Sequence, residues 1–119
     1  MTTLYGIKNC DTIRKARRWL QENGIDYRFH DVREDGINAA MLSAWMKQLD
    51  WELLLNRRAS SWRQLPAPAR EHIDREAALG IMLQQPTIIK RPLLEHHRQL
   101  HLGFSAGQYA AIFHPDTAS

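Results

Sequence analysis

One cysteine, Cys10, is the only thiol in 119 residues. A single thiol cannot close an internal disulfide, so the chain is not a disulfide-stapled secreted scaffold. No run approaches the ~20 consecutive apolar residues of a membrane-spanning helix. The opening Met1-Thr2-Thr3-Leu4-Tyr5-Gly6 lacks the basic-then-apolar layout of a secretory signal, so the expected location is the cytoplasm. There is no internal repeat and no low-complexity segment; only the tail after Pro115 looks frayed. Neither sign of charge dominates. Sixteen Lys+Arg against thirteen Asp+Glu leave a net +3, and the two signs are interspersed along the chain. Nucleic-acid binding calls for basic residues gathered on one face and is not expected. A mildly basic protein does suit a small anionic substrate. Metal ligands are short as well. His96, His97 and His101 cluster, but they straddle a hairpin in which alternate residues face opposite sides. No Cys or carboxylate completes a zinc set with them, so no metal and no tightly bound cofactor is expected.

What is present is enough for one domain. Hydrophobic residues make up 44% of the chain, a core's worth without metal or disulfide staples. Thr3 to Ile7 is β-prone. Asp11 and Thr12 offer N-cap chemistry to a helix whose apolar positions are Ile13, Ala16, Trp19 and Leu20, and Asn23-Gly24 stops it. Tyr27 to Val32 alternates like a second strand. Asn38 opens a helix with Met41, Leu42, Trp45 and Leu49 on one face, and a short helix covers Trp51 to Leu55. Helical pieces broken by Pro66 and Pro68 run on to Gln85, with Asp74 capping the last. Thr87 to Lys90 reads as a buried strand, and Leu93 to Leu102 as an antiparallel hairpin turning at His97-Arg98. Ser105 caps a final helix carrying Tyr109, Ile112 and Phe113. The expected class is α/β, with a mixed four-stranded sheet.

Cys10 falls at the turn between the first strand and the first helix. Unpaired amides and the helix dipole favour a thiolate there, and the thiolate is the nucleophile. Lys8, Arg14 and Lys15 lie within a turn of it in sequence, while Asp11 opposes them. Asn9 and its neighbouring amides suit an oxyanion at the same helix end, and Thr12 is a cap or a substrate contact. The motif is Cys10-Asp11-Thr12-Ile13 rather than C-x-x-C, so an external thiol must resolve any adduct on Cys10.

Tyr5-Gly6-Ile7-Lys8-Asn9-Cys10-Asp11-Thr12-Ile13-Arg14-Lys15-Ala16 resembles the opening of the YffB branch of the arsenate-reductase-like (ArsC/Spx) family. Leu55-Asn56-Arg57-Arg58, Ser61-Trp62-Arg63, Ile88-Ile89-Lys90-Arg91-Pro92-Leu93-Leu94 and Leu102-Gly103-Phe104-Ser105 extend the likeness over nearly the whole chain. The resemblance implies one domain over residues 1–119. Its thioredoxin-like core would comprise 1–33 and 86–114, with a helical insertion at 34–85. It implies that Cys10 is the catalytic cysteine and that Arg91, before a cis-proline at Pro92, binds substrate. A guanidinium in that place can hold an oxyanion or a carboxylate in bidentate fashion. The insertion's anion-binding arginine maps to Arg58 or Arg57, with Arg58 favoured. The family's small polar residue three after the cysteine is Ile13 here, and its arginine after the hairpin is Gly103.

These departures point away from arsenate itself and toward a monomeric, glutathione-dependent thiol reductase. Glutathione would be the co-substrate, glutaredoxin a candidate partner, and an anionic or disulfide compound the substrate. The other readings implied by the family are an Spx-like regulator that binds RNA polymerase or another protein, and a degenerate member that only binds glutathione.

Overall fold

The computed structural model describes residues 1–115; the tail expected to fray after Pro115 lies outside the described residues. Strand β1 (Thr2–Gly6) leads through a short loop into helix α1 (Asp11–Glu22) and returns as β2 (Arg28–Asp31), parallel to β1. Five helices follow: α2 (Ala39–Gln48), α3 (Trp51–Leu54), α4 (Ser60–Arg63), α5 (Ala67–Glu71) and α6 (Arg75–Gln84). A 3-10 turn at Pro86–Ile88 precedes the hairpin of β3 (Leu93–His96) and β4 (Gln99–Leu102), and α7 (Ala106–Phe113) closes the described chain. The sheet order is β2-β1-β3-β4, with β3 antiparallel to both of its neighbours. The sheet is therefore mixed and four-stranded.

Period-two alternation divides the core between the two faces of the sheet. Leu4 and Leu94 pair across β1 and β3 and pack with Ala16 and Leu20 of α1 and Tyr109 of α7. Tyr5 and Leu93, one residue along, belong to the opposite cluster with Leu42, Trp45, Leu54, Trp62 and Met82 from the helical block. Side chains supply the caps of three helices. Asn38 accepts from the Met41 amide, Asp74 from Ala77 and Ser105 from Gln108. The hairpin turns through His97 and Arg98, both at positive φ (49° and 67°), the sense that matches the strands' right-handed twist.

Two expectations are corrected. Thr87 to Lys90 is not a strand of the sheet. Pro86 starts a 3-10 turn, and only Ile89 makes a bridge, an isolated antiparallel one to Leu55. Ile88 and Ile89 are buried because they are wedged against the helical block, while Lys90 is exposed, so apolarity did not signal strand pairing. Nor is α1 capped by Asp11 or Thr12. Those are its first two residues, and Cys10 itself is the N-cap, in extended conformation and with no side-chain cap hydrogen bond.

Candidate active site

The strand register gathers the chemistry at one end of the sheet. β1 runs toward the loop that carries Cys10. Tyr5, near its end, pairs with Leu93, the first residue of β3, and Leu93 pairs in turn with Leu102, the last of β4. The Cys10 loop, the Arg91-Pro92 peptide and Gly103 therefore share one edge of the fold. Gly103 is tied in directly, its amide donating to the Pro92 carbonyl at 2.9 Å. The Arg91–Pro92 bond is cis, and Pro92 is buried.

The loop to Cys10 is short and specifically held. Asn9 takes φ 69°, in the left-handed region that asparagine tolerates better than most residues. It turns the chain so that Cys10 enters α1 as the N-cap, with its carbonyl accepting from the Arg14 amide at 2.9 Å. The first amides of α1 have no intrahelical acceptor, and the half-buried Cys10 side chain makes no cap hydrogen bond to them.

The anchor of this loop is Asp31, a residue that sequence reasoning missed. Its side chain is 1% exposed, and its carboxylate accepts the Lys8 amide on Oδ2 (3.0 Å) and the Arg33 and Glu34 amides on Oδ1 (2.8 and 2.9 Å). Burial alone would push its carboxyl up. The amide hydrogen bonds from Lys8, Glu34 and Arg33, with the Arg33 charge behind them, hold it below the ordinary value. An aspartate closing a strand just before a turn was the available signal.

The charges near Cys10 in sequence are mostly committed elsewhere. The Lys8 ammonium sits 2.7 Å from Glu34, which raises its pKa, and both side chains are more than half exposed. Arg14 pairs with Asp11 at 2.8 Å. Thr12 and Asn9 are exposed.

Two arginines of the later motifs, Arg58 and Arg91, line one cleft. A cleft of about 490 Å³ is lined by Asn56, Arg58, Lys90, Arg91, Leu102 and Gly103. Cys10 stands at the same end of the sheet but is not among the residues lining that cleft. Arg91 is anchored through Nη1 to the carbonyls of Thr87 (2.8 Å) and Ile89 (3.3 Å), while its buried Nε has no partner among the described residues. The 56–58 loop is fixed by backbone bonds: the Asn56 amide to Ile88 O and the Lys90 amide to Leu54 O, both 2.7 Å. Asn56 Oδ1 in turn accepts the Arg58 amide at 3.0 Å. Among the described residues no group of three or more His, Cys, Asp or Glu is placed to hold a metal, and no helix is long and apolar enough to cross a membrane.

A profile of the ArsC family matches residues 5–112, from the end of β1 into α7. The chain belongs to the ArsC family. Among solved structures it is similar to a YFFB protein, 40% identical with a TM-score of 0.88 over 93% of this chain and 97% of the other. It is also similar to an arsenate reductase (ArsC) related protein from Brucella melitensis, 47% identical with a TM-score of 0.77, covering 95% and 94%. The global transcriptional regulator Spx of Enterococcus faecalis is 27% identical over 88% of this chain and 80% of the regulator. The ArsC family thus accounts for the α/β fold seen here, and the proteins similar to this chain include both an arsenate reductase (ArsC) related protein and a transcriptional regulator.

Proposed function

We propose that this ArsC-family protein is a glutathione-dependent thiol oxidoreductase, acting as a monomer in the cytoplasm with Cys10 as its nucleophile. The observation that carries the reading is the position of Cys10. A cysteine at the N-cap of a twelve-residue helix stands at the end where peptide dipoles favour an anion. Arg91 and Arg58, in the cleft at the same end of the sheet, are suited to neutralise a carboxylate or oxyanion on the substrate.

The step is a thiol–disulfide exchange. The Cys10 thiolate attacks one sulfur of a disulfide R–S–S–R′, forming Cys10–S–S–R and releasing R′S⁻. Glutathione thiolate then attacks the sulfur of R, regenerating the Cys10 thiolate and releasing the mixed disulfide of glutathione and R. No second cysteine is available to do this internally, since Cys10 is the only one and Ile13 fills the position three residues on, 1% exposed in the core. A glutaredoxin is the candidate protein to return the released disulfide to the thiol state.

Mass spectrometry after incubation with oxidised glutathione tests the reading. One glutathione adduct on Cys10, lost in Cys10→Ser, slowed in Arg91→Ala and reversed by reduced glutathione, is the expected result. No adduct on the folded wild-type protein would overturn it. The likeness to Spx favours a second reading, docking to RNA polymerase, and stoichiometric co-sedimentation with purified polymerase would promote it over the first.

A further inference from the structure

The cleft at Arg91 does not end at Arg91. A second hollow of about 220 Å³, lined by Glu52, Leu55, Asn56, Arg57, Arg58 and Lys90, shares Asn56, Arg58 and Lys90 with it. Lys90 and Arg58 thus stand on the seam between two recesses. Among the described residues neither of them, nor Arg91, is in an ion pair, whereas Lys8 and Arg14 are. Among the described residues lining either wall, Glu52 is the one carboxylate. Lys90 is exposed, but its backbone is fixed. Its own amide is bonded to Leu54, Ile89 before it bridges to Leu55, and the cis Arg91–Pro92 peptide follows, so its backbone is held on both sides.

Across the cleft lining, Gly103 contributes no side chain. It sits at φ 85°, and a Cβ there would meet nothing within 4 Å. The wall is open at that point, and the joint hollow falls in the size range of pockets for organic ligands of several hundred Å³.

We propose that Lys90 is a specificity-determining residue of this site. Bridging the two recesses, it selects an extended ligand with two separated anionic groups, one held at Arg91 and the other between Lys90 and Arg58, over a single compact oxyanion. The inference rests on the anion-cleft reading above but not on the identity of the thiol. A point-charge ammonium on a flexible stem suits the outer group, where the angle of approach varies, and the anchored guanidinium of Arg91 suits the inner one.

Isothermal titration of the full chain with tripolyphosphate and with orthophosphate, at near-physiological ionic strength, tests it without glutathione. Wild type is expected to prefer tripolyphosphate. Lys90→Ala should weaken tripolyphosphate about fivefold while moving orthophosphate less than about twofold. Lys90→Arg should restore the preference, and Arg18→Ala, on the exposed face of α1, should change neither. Equal loss for both anions in Lys90→Ala, no loss for either, or an equal effect of Arg18→Ala overturns the proposal. If Lys90 governs tripolyphosphate while glutathione leaves Cys10 untouched, this inference stands and the thiol chemistry falls. If the glutathione adduct forms normally and Lys90→Ala binds both anions like wild type, only this inference falls.

Discussion

Replacing Asp31 with asparagine tests how the active loop is held, because the substitution keeps shape and removes one acceptor at one known place. Oδ1 of Asp31 serves Arg33 and Glu34, and Oδ2 serves Lys8. The introduced carboxamide can keep its oxygen toward the first two donors only by turning its NH₂ toward the Lys8 N–H. One charge-assisted bond is then lost and two donors face each other in a site 1% exposed. Hydrogen bonds to charged groups contribute about 1.5–3 kcal/mol each, so a loss of about 2 kcal/mol is expected.

With an unfolding entropy of about 2.1 cal/mol/K per residue over 119 residues, that loss lowers Tm by roughly 8 °C. Because Lys8 is two residues from Cys10, iodoacetamide should also modify Cys10 more slowly in the variant at neutral pH. The pH dependence has a definite sign. The folded carboxyl titrates below its ordinary value of 3.8, so its stabilisation is complete above that pH and lost as pH falls through the lower folded value. The stability gap between wild type and Asp31→Asn is therefore constant above about pH 5 and narrows below about pH 4. A Tm within about 2 °C of wild type at neutral pH, a shift worth only about 0.5 kcal/mol, would refute the reasoning.

Tyr109 is 0% exposed and its hydroxyl has no partner among the described residues, and burial pushes the phenol above its usual titration range. Tyr109→Phe should raise stability by about 1 kcal/mol in urea unfolding, since an unsatisfied buried hydroxyl carries a desolvation penalty; a loss of that size would reveal an unseen partner. Gly6 closes β1 against α1, and a Cβ there would run into Cγ1 and Cδ1 of the buried Ile13. Gly6→Ala should cost about 1–3 kcal/mol by overpacking. Combining it with Ile13→Val, which removes Cδ1, should recover part of the loss, so strict additivity in the double variant would count against a direct clash.

The order of elements, the caps Asp74 and Ser105, the helix start near Asn38 and the place of Cys10 at a strand-to-helix turn were legible in the chain itself. They depend on local rules: a period of two or 3.6, and a short polar side chain where amides lack acceptors. Asn38, Asp74 and Ser105 each cap the helix they precede. The run from Thr87 to Lys90 misled because burial looks the same in a strand and in a wedge against helices; what separates them is whether a neighbouring backbone lies alongside, and that is a tertiary fact.

The candidate site divides in the same way. The chain itself singles out Cys10 by its place at a strand-to-helix turn, and the resemblance to the ArsC family implies Arg58 and Arg91 as anion-holding groups. Only the folded chain decides which cations remain free: Lys8 is neutralised by Glu34, twenty-six positions away, while Lys90 is left unpaired among the described residues, on the seam between two recesses. Charge is written in the sequence, but its pairing and its burial depend on distances that exist only once the sheet register and the helical block have closed around the site.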